Sequence, residues 1–174
     1  MKIAICGKMC SGKTTLANYI MRTFPGYTKY SFAGKVKELC VELFNMQGKD
    51  RSLLINFANK MREIDPDVWV NQVLKQTKGK QNCIIDDVRY QNEVDALIHD
   101  DWTFIQLDVP YSIQRQRIMR LYPTNYEDHL KASNHISEKN SFVFPEGYPQ
   151  LQLNTDDTHE EQIKHEVNLL FLKR

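Results

Sequence analysis

An excess of charge of one sign is missing from this sequence, since its 174 residues include 23 lysines and arginines against 22 aspartates and glutamates. The formal net charge of +1 gives no field over the whole surface that would recruit nucleic acid or an anionic membrane. Long apolar runs are missing too, because none approaches the ~18 residues that cross a bilayer. We therefore expect neither nucleic acid nor a membrane as a partner, and we expect any anion site to be built locally.

Patterns typical of a metal centre or of acyl transfer are equally absent from the sequence. His129 and His135 stand six residues apart with no cysteine or acid at ligand spacing, so no zinc site is predicted. No G-x-S-x-G or Cys–His arrangement is present. The cysteines also lack metal-ligand spacing and, with no signal-peptide pattern ahead of them, predict a reducing, cytoplasmic compartment. These cysteines are Cys6, Cys10, Cys40 and Cys83.

Short apolar runs alternate with helical patterns along the chain, and no internal repeat or linker interrupts them. Strands are predicted over residues 2–6, 28–32, 82–86, 103–108 and 151–153. Helices are predicted over residues 13–24, 34–45, 51–64, 66–78, 92–100 and 158–172, and over the first part of 111–147. Asp65 and Pro66 suit the N-cap and the first position of the 66–78 helix. The alternation predicts an α/β fold with a five-stranded parallel sheet flanked by helices.

The chain is long enough for one well-buried domain and short for two. Two stretches without a convincing strand, 34–80 and 111–147, leave the carboxyl edge of predicted strands, where open α/β sheets bind ligands. We interpret both as insertions over the site. The core is then built from residues 1–33, 81–110 and 148–174.

The stretch GKMCSGKT, residues 7–14, fits the pattern G-x-x-x-x-G-K-[ST] between a predicted strand and a predicted helix. Its glycines let the backbone curl so that successive N–H groups point at one anion, and the following helix adds the positive end of its dipole. Lys13 can bridge the β- and γ-phosphates of a nucleotide, and the Thr14 hydroxyl can ligate Mg²⁺. The residues expected to contact the nucleotide here are Gly7, Lys8, Cys10, Ser11, Gly12, Lys13, Thr14 and Thr15.

A second polar group stands at the end of the third predicted strand, in IIDDVRYQNEVDA. Asp86 and Asp87 alternate across the strand, so only one of them can face the phosphate loop, where a carboxylate could hold Mg²⁺ or its waters. Arg89 offers a fork-shaped donor for a phosphate, although Asp87 and Arg89 could also form a solvated pair. Asn92 and Glu93 also fit a helix start, as cap and dipole partner.

Several residues outside these motifs have two interpretations each. Arg115, Arg117 and Arg120 crowd into RQRIMR with no acid among them, which favours a lid that closes on phosphates over a solvated face. His135 fits a structural contact of that lid better than a catalyst. Three further residues, over the acceptor side, fit either an acceptor site or an ordinary helix surface or core: Lys37, Arg62 and Trp69.

Six segments together resemble the deoxynucleoside monophosphate kinase family of bacteriophages and large DNA viruses, which has the P-loop nucleoside monophosphate kinase fold. They are GKMCSGKTT, YSFAGKVKELC, IDPDVWV, DDVRYQNEVDAL, HISE and LQLNTDD. The resemblance covers nearly the whole chain, and S-F-A-x-x-x-K followed by D-x-R-x-x-N-E is its most distinctive part. It implies that the γ-phosphate of ATP is transferred, with Mg²⁺, to a nucleoside 5′-monophosphate, with a deoxyribonucleotide favoured, by a monomer or homodimer.

The resemblance also implies roles for individual residues. Lys13, Asp87, Arg89 and Arg120 would be catalytic, and Thr14 and Asp87 would hold the metal. Asn154 would lie where the base of the donor is approached. The acceptor-binding residues would be Lys37, Arg62, Trp69, Arg89, Asn92, Glu93, Arg115 and Arg117. The chain departs from the best-known phage members by being shorter between residues 37 and 51.

Two other functions remain open. Animal phosphomevalonate kinases share a similar D-x-R core and would bind a phosphorylated acceptor that has no base. A nucleotide-switched binding protein would also use a phosphate loop. The sequence has no N-K-x-D base-recognition signal for a GTP switch, and the two insertions suit a two-substrate site better.

Overall fold

The computed structural model describes residues 1–48, 50–132, 142–148, 150–156 and 160–172. The strands in these ranges are β1 (Lys2–Gly7), β2 (Thr28–Tyr30), β3 (Cys83–Val88), β4 (Trp102–Asp108) and β5 (Gln150–Asn154). The helices are α1 (Lys13–Thr23), α2 (Phe32–Phe44), α3 (Arg51–Ile64), α4 (Val68–Thr77), α5 (Gln91–His99), α6 (Tyr111–Leu121), α7 (Tyr126–Ala132) and α8 (Glu160–Leu172). His135 lies outside the described residues, so its predicted place in a lid stays a prediction.

All five strands run parallel, in the order β2-β3-β1-β4-β5. β1 lies at the centre, where Ile3 pairs with Ile84 of β3 and with Thr103 of β4. Parallel neighbours must be joined by crossovers, and the helices between the strands supply them. The five-stranded parallel α/β fold predicted from the sequence is confirmed.

Side chains of β1 alternate between two cores, one on each face of the sheet. Ile3 and Ile5 pack with residues of α1 and α8, on what we call the α1 face. Ala4 and Cys6 pack with residues of α2, α4 and α5, on what we call the α2 face. Burial raises the pKa of the Cys6 thiol to about 12, so this cysteine packs as a neutral hydrophobe. Full burial of Ile3 and of Ile5 contributes ~1.5–3 kcal/mol each to the free energy of unfolding. The strand β1 therefore holds the loop that follows it in a fixed place.

The same alternation in β3 sends its two adjacent aspartates to opposite faces. Ile84 belongs to the core of the α1 face and Ile85 to the core of the α2 face. Asp86 follows Ile84 by two residues, and Asp87 follows Ile85 by two. Because side chains repeat every second residue in a strand, Asp86 lies toward α1 and Asp87 lies toward α2.

The helices α4 and α5 begin at other residues than the sequence pattern predicts. α4 begins at Val68, two residues late, because the carboxylate of Asp65 accepts a hydrogen bond from the N–H of Asp67 at 2.9 Å and holds a turn there. α5 begins at Gln91, one residue early, which places Asn92 inside the first turn instead of at the cap. In both places a carboxylate accepts a hydrogen bond from a backbone N–H near the helix start, Asp65 at α4 and Glu93 at α5. Helix periodicity does not reveal such side-chain contacts.

The two predicted insertions contain helices and, among their described residues, no strand. Residues 34–80 contain the rest of α2 with α3 and α4, and no strand among the residues described there. Further along, Phe144 and Tyr148 pack against Phe104 of β4, and the Tyr148 hydroxyl donates to the carbonyl oxygen of Trp102. The chain thus returns across the α2 face before it enters β5. Within the described ranges, no helix combines the length and the apolar character that crossing a membrane requires.

Candidate active site

The loop that joins β1 to α1 is tightly folded at its two glycines. Gly7 and Gly12 have φ angles of 153° and 97°, which glycine adopts more readily than other residues. A Cβ on Gly7 would lie 2.5 Å from Ser11 Oγ and 2.7 Å from the carbonyl oxygen of Leu107, so the approach of β4 also requires glycine. The N–H of Ser11 donates to the carbonyl oxygen of Lys8 at 3.2 Å and closes the turn. This is the backbone shape expected of a phosphate-binding loop.

The polar groups of this loop are arranged to receive an anion. Lys13 Nζ donates to the carbonyl oxygens of Gly7 and Lys8 at 2.6 and 2.7 Å, so its ammonium lies over the loop. α1 has Gly12 as its N-cap, with no side-chain cap and no acidic residue in its first turn. The positive end of that helix is therefore available to a ligand. Ser11 Oγ is buried and has no hydrogen-bond partner among the described residues, so a phosphate group fits this set of donors.

Asp86 joins the phosphate loop to the end of β3. It is 6% exposed, and its Oδ2 accepts hydrogen bonds from Thr14 Oγ1 at 2.8 Å and from Lys29 Nζ at 2.6 Å. The oxygen atoms of a hydroxyl and a carboxylate are ligands of the kind that Mg²⁺ prefers, so Thr14 and Asp86 fit the implied metal. The family resemblance gave this role to Asp87. We now propose Asp86 for it, because strand alternation turns Asp86 and not Asp87 toward the loop.

Asp87 instead anchors α2. Its carboxylate accepts from Ser31 Oγ at 2.6 Å, from the N–H of Phe32 at 3.1 Å and from the N–H of Ala33 at 3.0 Å. The two N–H groups belong to the first turn of α2, which has no acidic residue and no cap from its own Ser31 side chain. This contact explains why α2 begins two residues before the predicted start. Asp87 therefore fixes the helix that opens the 34–80 segment.

Arg62 of α3 reaches the residues that follow β3. Its guanidinium carbon lies 4.4 Å from the centroid of the Tyr90 ring, and its Nη2 lies 3.9 Å from Glu93 Oε1. The other oxygen of Glu93 accepts from the N–H groups of Arg89 and Tyr90 at 2.7 and 3.1 Å. The structure thus brings Arg62, Arg89 and Glu93 together on the side of the sheet that faces α2 and α3.

Glu93 is a buried acid with competing neighbours. Burial raises its pKa to about 7, and the nearby charge of Asp87 adds to the rise. The N–H groups of Arg89 and Tyr90 and the guanidinium of Arg62 act in the opposite direction. Burial is the largest effect because the residue is only 2% exposed. Near neutral pH the carboxyl of Glu93 is therefore divided between its protonated and ionised forms.

Three other residues assigned to the acceptor do not join this group. Trp69 is 3% exposed and its Nε1 donates to the carbonyl oxygen of Ala58 at 3.2 Å, so its ring lies in the core and is not available to stack on a base. Asn92 Nδ2 donates to Asp67 Oδ1 at 2.8 Å and thereby ties α5 to the start of α4. Lys37 is exposed on α2 and has no hydrogen bond or ion pair with the described residues.

Arg117 of α6 spans two loops at the carboxyl edge of the sheet. It donates to the carbonyl oxygen of Cys10 in the phosphate loop at 3.3 Å and to that of Thr155, after β5, at 2.6 Å. Gln114, one turn earlier, donates to the carbonyl oxygen of Met9 at 2.9 Å. Cys10 itself has a left-handed φ of 60°, a conformation that these contacts support. α6 is therefore fastened to the backbone of the phosphate loop.

The remaining predicted residues are accessible to solvent. Arg115 and Arg120 are exposed on α6 and pair with no residue in the described part of the chain, so the three arginines of RQRIMR do not act as one cluster here. Asn154 is exposed at the end of β5 and lines an open pocket of about 600 Å³ with Asp108 and Pro110. This position agrees with, but does not test, its assignment to the base of the donor.

Sequence patterns did not reveal Lys29, Ser31, Gln114 or Thr155. Lys29 and Ser31 lie in or beside the shortest strand, and only the pairing of β2 with β3 places them next to the two aspartates. Gln114 did offer a signal, because it lies four residues before the buried Ile118 and therefore on the same face of α6.

A family model described as an AAA domain matches residues 3–140. The chain belongs to this AAA domain family. No curated protein sequence matches it.

Several solved structures have the fold of this AAA domain. Shikimate kinase from Aquifex aeolicus vf5 has 18% identity and a TM-score of 0.53, over 99% of this chain and 98% of that one. A gluconokinase from Sinorhizobium meliloti 1021 has 11% identity and a TM-score of 0.55, over 99% and 97%. A sugar kinase from Janibacter sp. HTCC2649 has 15% identity and a TM-score of 0.53, over 97% and 93%. The chain therefore has the fold of the P-loop kinases.

We expect substitution of the two adjacent aspartates to affect this AAA domain in different ways. Asp86→Asn should weaken ATP binding about tenfold or more with Mg²⁺ present and much less without it, since it removes the charge beside Thr14. Asp87→Asn should leave the Mg²⁺ effect unchanged and lower the melting temperature, since an amide cannot accept from every donor of α2. Calorimetric ATP titrations with and without Mg²⁺, beside thermal denaturation, separate the two roles. A loss of the Mg²⁺ effect on ATP binding in Asp87→Asn, with none in Asp86→Asn, would indicate that Asp87 holds the metal.

We expect Glu93 to make the stability of this AAA domain pH-dependent. Because its folded pKa lies above the unfolded value of 4.5, the folded state retains a proton that the unfolded state releases, and the free energy of unfolding falls as pH rises from about 4.5 to 7. The fall attributable to Glu93 is at most about 3 kcal/mol. Urea denaturation of the wild type and of Glu93→Gln across this range should show the difference between them shrinking or reversing with pH. Parallel curves would mean that folding does not raise the pKa of Glu93.

Proposed function

We propose that this protein transfers the γ-phosphate of ATP to a nucleoside 5′-monophosphate, with a deoxyribonucleotide favoured, in a Mg²⁺-dependent reaction. The observation that supports it most is the phosphate loop closed by Lys13 and joined through Thr14 to Asp86. Lys13 and the first N–H groups of α1 would bind and orient the donor phosphates. Mg²⁺ held by Thr14 and Asp86 would neutralise charge on those phosphates.

The acceptor phosphate would be bound on the other face of β3. Arg62 lies there against Tyr90 and Glu93, beside the backbone of Arg89, and guanidinium groups match the geometry of phosphate oxygens. Asp87 holds the start of α2 against the same strand end. A donor site and an acceptor site on the two sides of one strand end would be suited to aligning two substrates that repel each other.

The carboxylates on the acceptor side favour a phosphate acceptor over a hydroxyl acceptor. A hydroxyl must lose a proton to a base, whereas a nucleotide phosphate with a second pKa of ~6 is already ionised at neutral pH. Asp87 already accepts hydrogen bonds from three donors, and Glu93 is 2% exposed and bonded to two N–H groups. Neither is placed to take a proton from a substrate hydroxyl. This supports a reaction that depends on charge neutralisation by arginines and the metal and needs no general base.

With this function the chain would have three parts. Residues 1–33, 81–110 and 148–174 form the core, residues 34–80 bind the acceptor, and residues 111–147 form a lid. In this division Arg117 fastens α6 to the phosphate loop, Arg115 and Arg120 offer charge to the phosphates from the same helix, and the part of the lid after α6 closes. Closure would also exclude water and limit hydrolysis of ATP.

A small-molecule kinase is the second candidate. The solved structures with this fold include proteins named shikimate kinase, gluconokinase and sugar kinase, and the D-x-R core resembles that of phosphomevalonate kinases. A phosphorylated acceptor without a base would meet the same arginines. A nucleotide acceptor and a phosphorylated acceptor without a base differ only in what binds beyond the acceptor phosphate.

We expect ADP formation from ATP and Mg²⁺ to depend on a nucleoside 5′-monophosphate. The measurement is a coupled assay with all common ribo- and deoxyribonucleoside monophosphates, modified pyrimidine deoxynucleotides, mevalonate 5-phosphate, shikimate and gluconate. A reaction without acceptor gives the background of ATP hydrolysis. At least one deoxynucleotide should exceed that background by ~10²-fold, because an acceptor phosphate held in line with the γ-phosphate reacts faster than water does. Turnover with mevalonate phosphate, shikimate or gluconate and with no nucleotide would contradict the proposal.

A further inference from the structure

Lys29 has a contact that the proposed phosphotransfer does not use. Its Nζ lies 2.6 Å from Asp86 Oδ2, and the Thr14 hydroxyl donates to that same oxygen at 2.8 Å. The pairing of β2 with β3 explains the reach, because Lys29 is opposite Ile84, two residues before Asp86 on the same face. The oxygen that is proposed to serve the metal is therefore already bonded to an ammonium group.

The burial of the two partners shows why such a contact exists. Asp86 is 6% exposed, whereas the side chain of Lys29 is 33% exposed. An ionised carboxylate at that depth without a counter-ion would be strongly destabilised, so a cation beside it stabilises the protein before any ligand binds. Lys29, with a third of its side chain in solvent, can leave the carboxylate at small cost to itself, provided that another cation takes its place beside Asp86.

We infer that Lys29 is the counter-ion of Asp86 in the absence of ligands and that its ammonium moves away from this carboxylate when Mg²⁺ and nucleotide bind. The inference rests on the proposed function, because it takes Thr14 and Asp86 as the metal site. An ammonium and a divalent cation repel each other at one buried carboxylate, so Lys29 opposes metal binding. Lys29 therefore sets how strongly Mg²⁺ and ATP promote each other's binding.

The test is the binding of ATP without acceptor, measured calorimetrically with Mg²⁺ and with the metal removed by a chelator. The quantity compared is the ratio of the Kd for ATP without Mg²⁺ to the Kd with it. In Lys29→Met and Lys29→Gln this ratio should rise about tenfold or more over the wild type, within the range of ordinary coupling between two ligands. Without a metal, these variants leave Asp86 uncompensated beside the phosphates. With a metal, they have no ammonium to displace.

Two controls isolate the charge at this position. Lys29→Arg keeps a cation beside Asp86 and should keep the wild-type ratio within about twofold. Lys2→Met removes a similar ion pair, with Asp100 at 2.8 Å, at the opposite end of the sheet, and should also leave the ratio unchanged. Melting temperatures without ligand identify any variant that fails to fold, and Lys29→Gln, which can still donate to Asp86, then replaces Lys29→Met.

Two results would overturn the inference and are distinguishable from each other. An unchanged ratio in folded Lys29→Met and Lys29→Gln, with normal ATP binding by the wild type, would make Lys29 a structural partner only and leave the proposed function standing. A fall in ATP affinity by the same factor with and without Mg²⁺ would make Lys29 a phosphate ligand instead. Wild-type protein that binds no ATP in either condition would refute the proposed function and this inference together.

Discussion

The hydrogen bond between Thr14 and Asp86 joins the phosphate loop to the neighbouring strand, and the rest of the site is placed by that junction. It forms because β1 and β3 are adjacent parallel strands, so their carboxyl ends meet at one edge of the sheet. The loop lies between two fixed supports, with α1 continuing from it and α6 bonded to its carbonyl oxygens. A loop held in this way meets a polyanion without reorganising, which is what electrostatic catalysis of phosphoryl transfer requires.

The alternation of β3 divides the proposed chemistry between the two faces of the sheet. Asp86 serves the α1 face, where the donor phosphates are expected, and Asp87 serves the α2 face, where the helices of the 34–80 segment pack. Adjacent residues of identical type therefore have different partners and different roles. Glu93 and Arg62 extend the second face, where the buried carboxyl of Glu93 accepts from the N–H groups of Arg89 and Tyr90.

Local patterns predicted the sheet and most helices, because strand and helix periods depend on neighbours in sequence. GKMCSGKT predicted the shape of its loop for the same reason, since Gly7 and Gly12 are required by backbone geometry. Which aspartate faces the loop could not be predicted, because it depends on the register of β3 with β1. Lys29 was missed because its partner is 57 residues away and β2 is only three residues long. Trp69 was assigned to either core or site, and long-range packing decided for the core.

The central claim is that the phosphate loop holds ATP for transfer of its γ-phosphate to another phosphate. Transfer of ³²P from [γ-³²P]ATP to a deoxynucleoside monophosphate tests it most directly, with Lys13→Ala as the comparison and melting temperatures to show that both proteins are folded. We expect labelled nucleoside diphosphate from the wild type and at least ~10²-fold less from Lys13→Ala. The reason is that the Lys13 ammonium neutralises negative charge on the phosphates while the phosphoryl group is transferred. Labelled inorganic phosphate as the only wild-type product, or wild-type transfer by folded Lys13→Ala, would contradict the account.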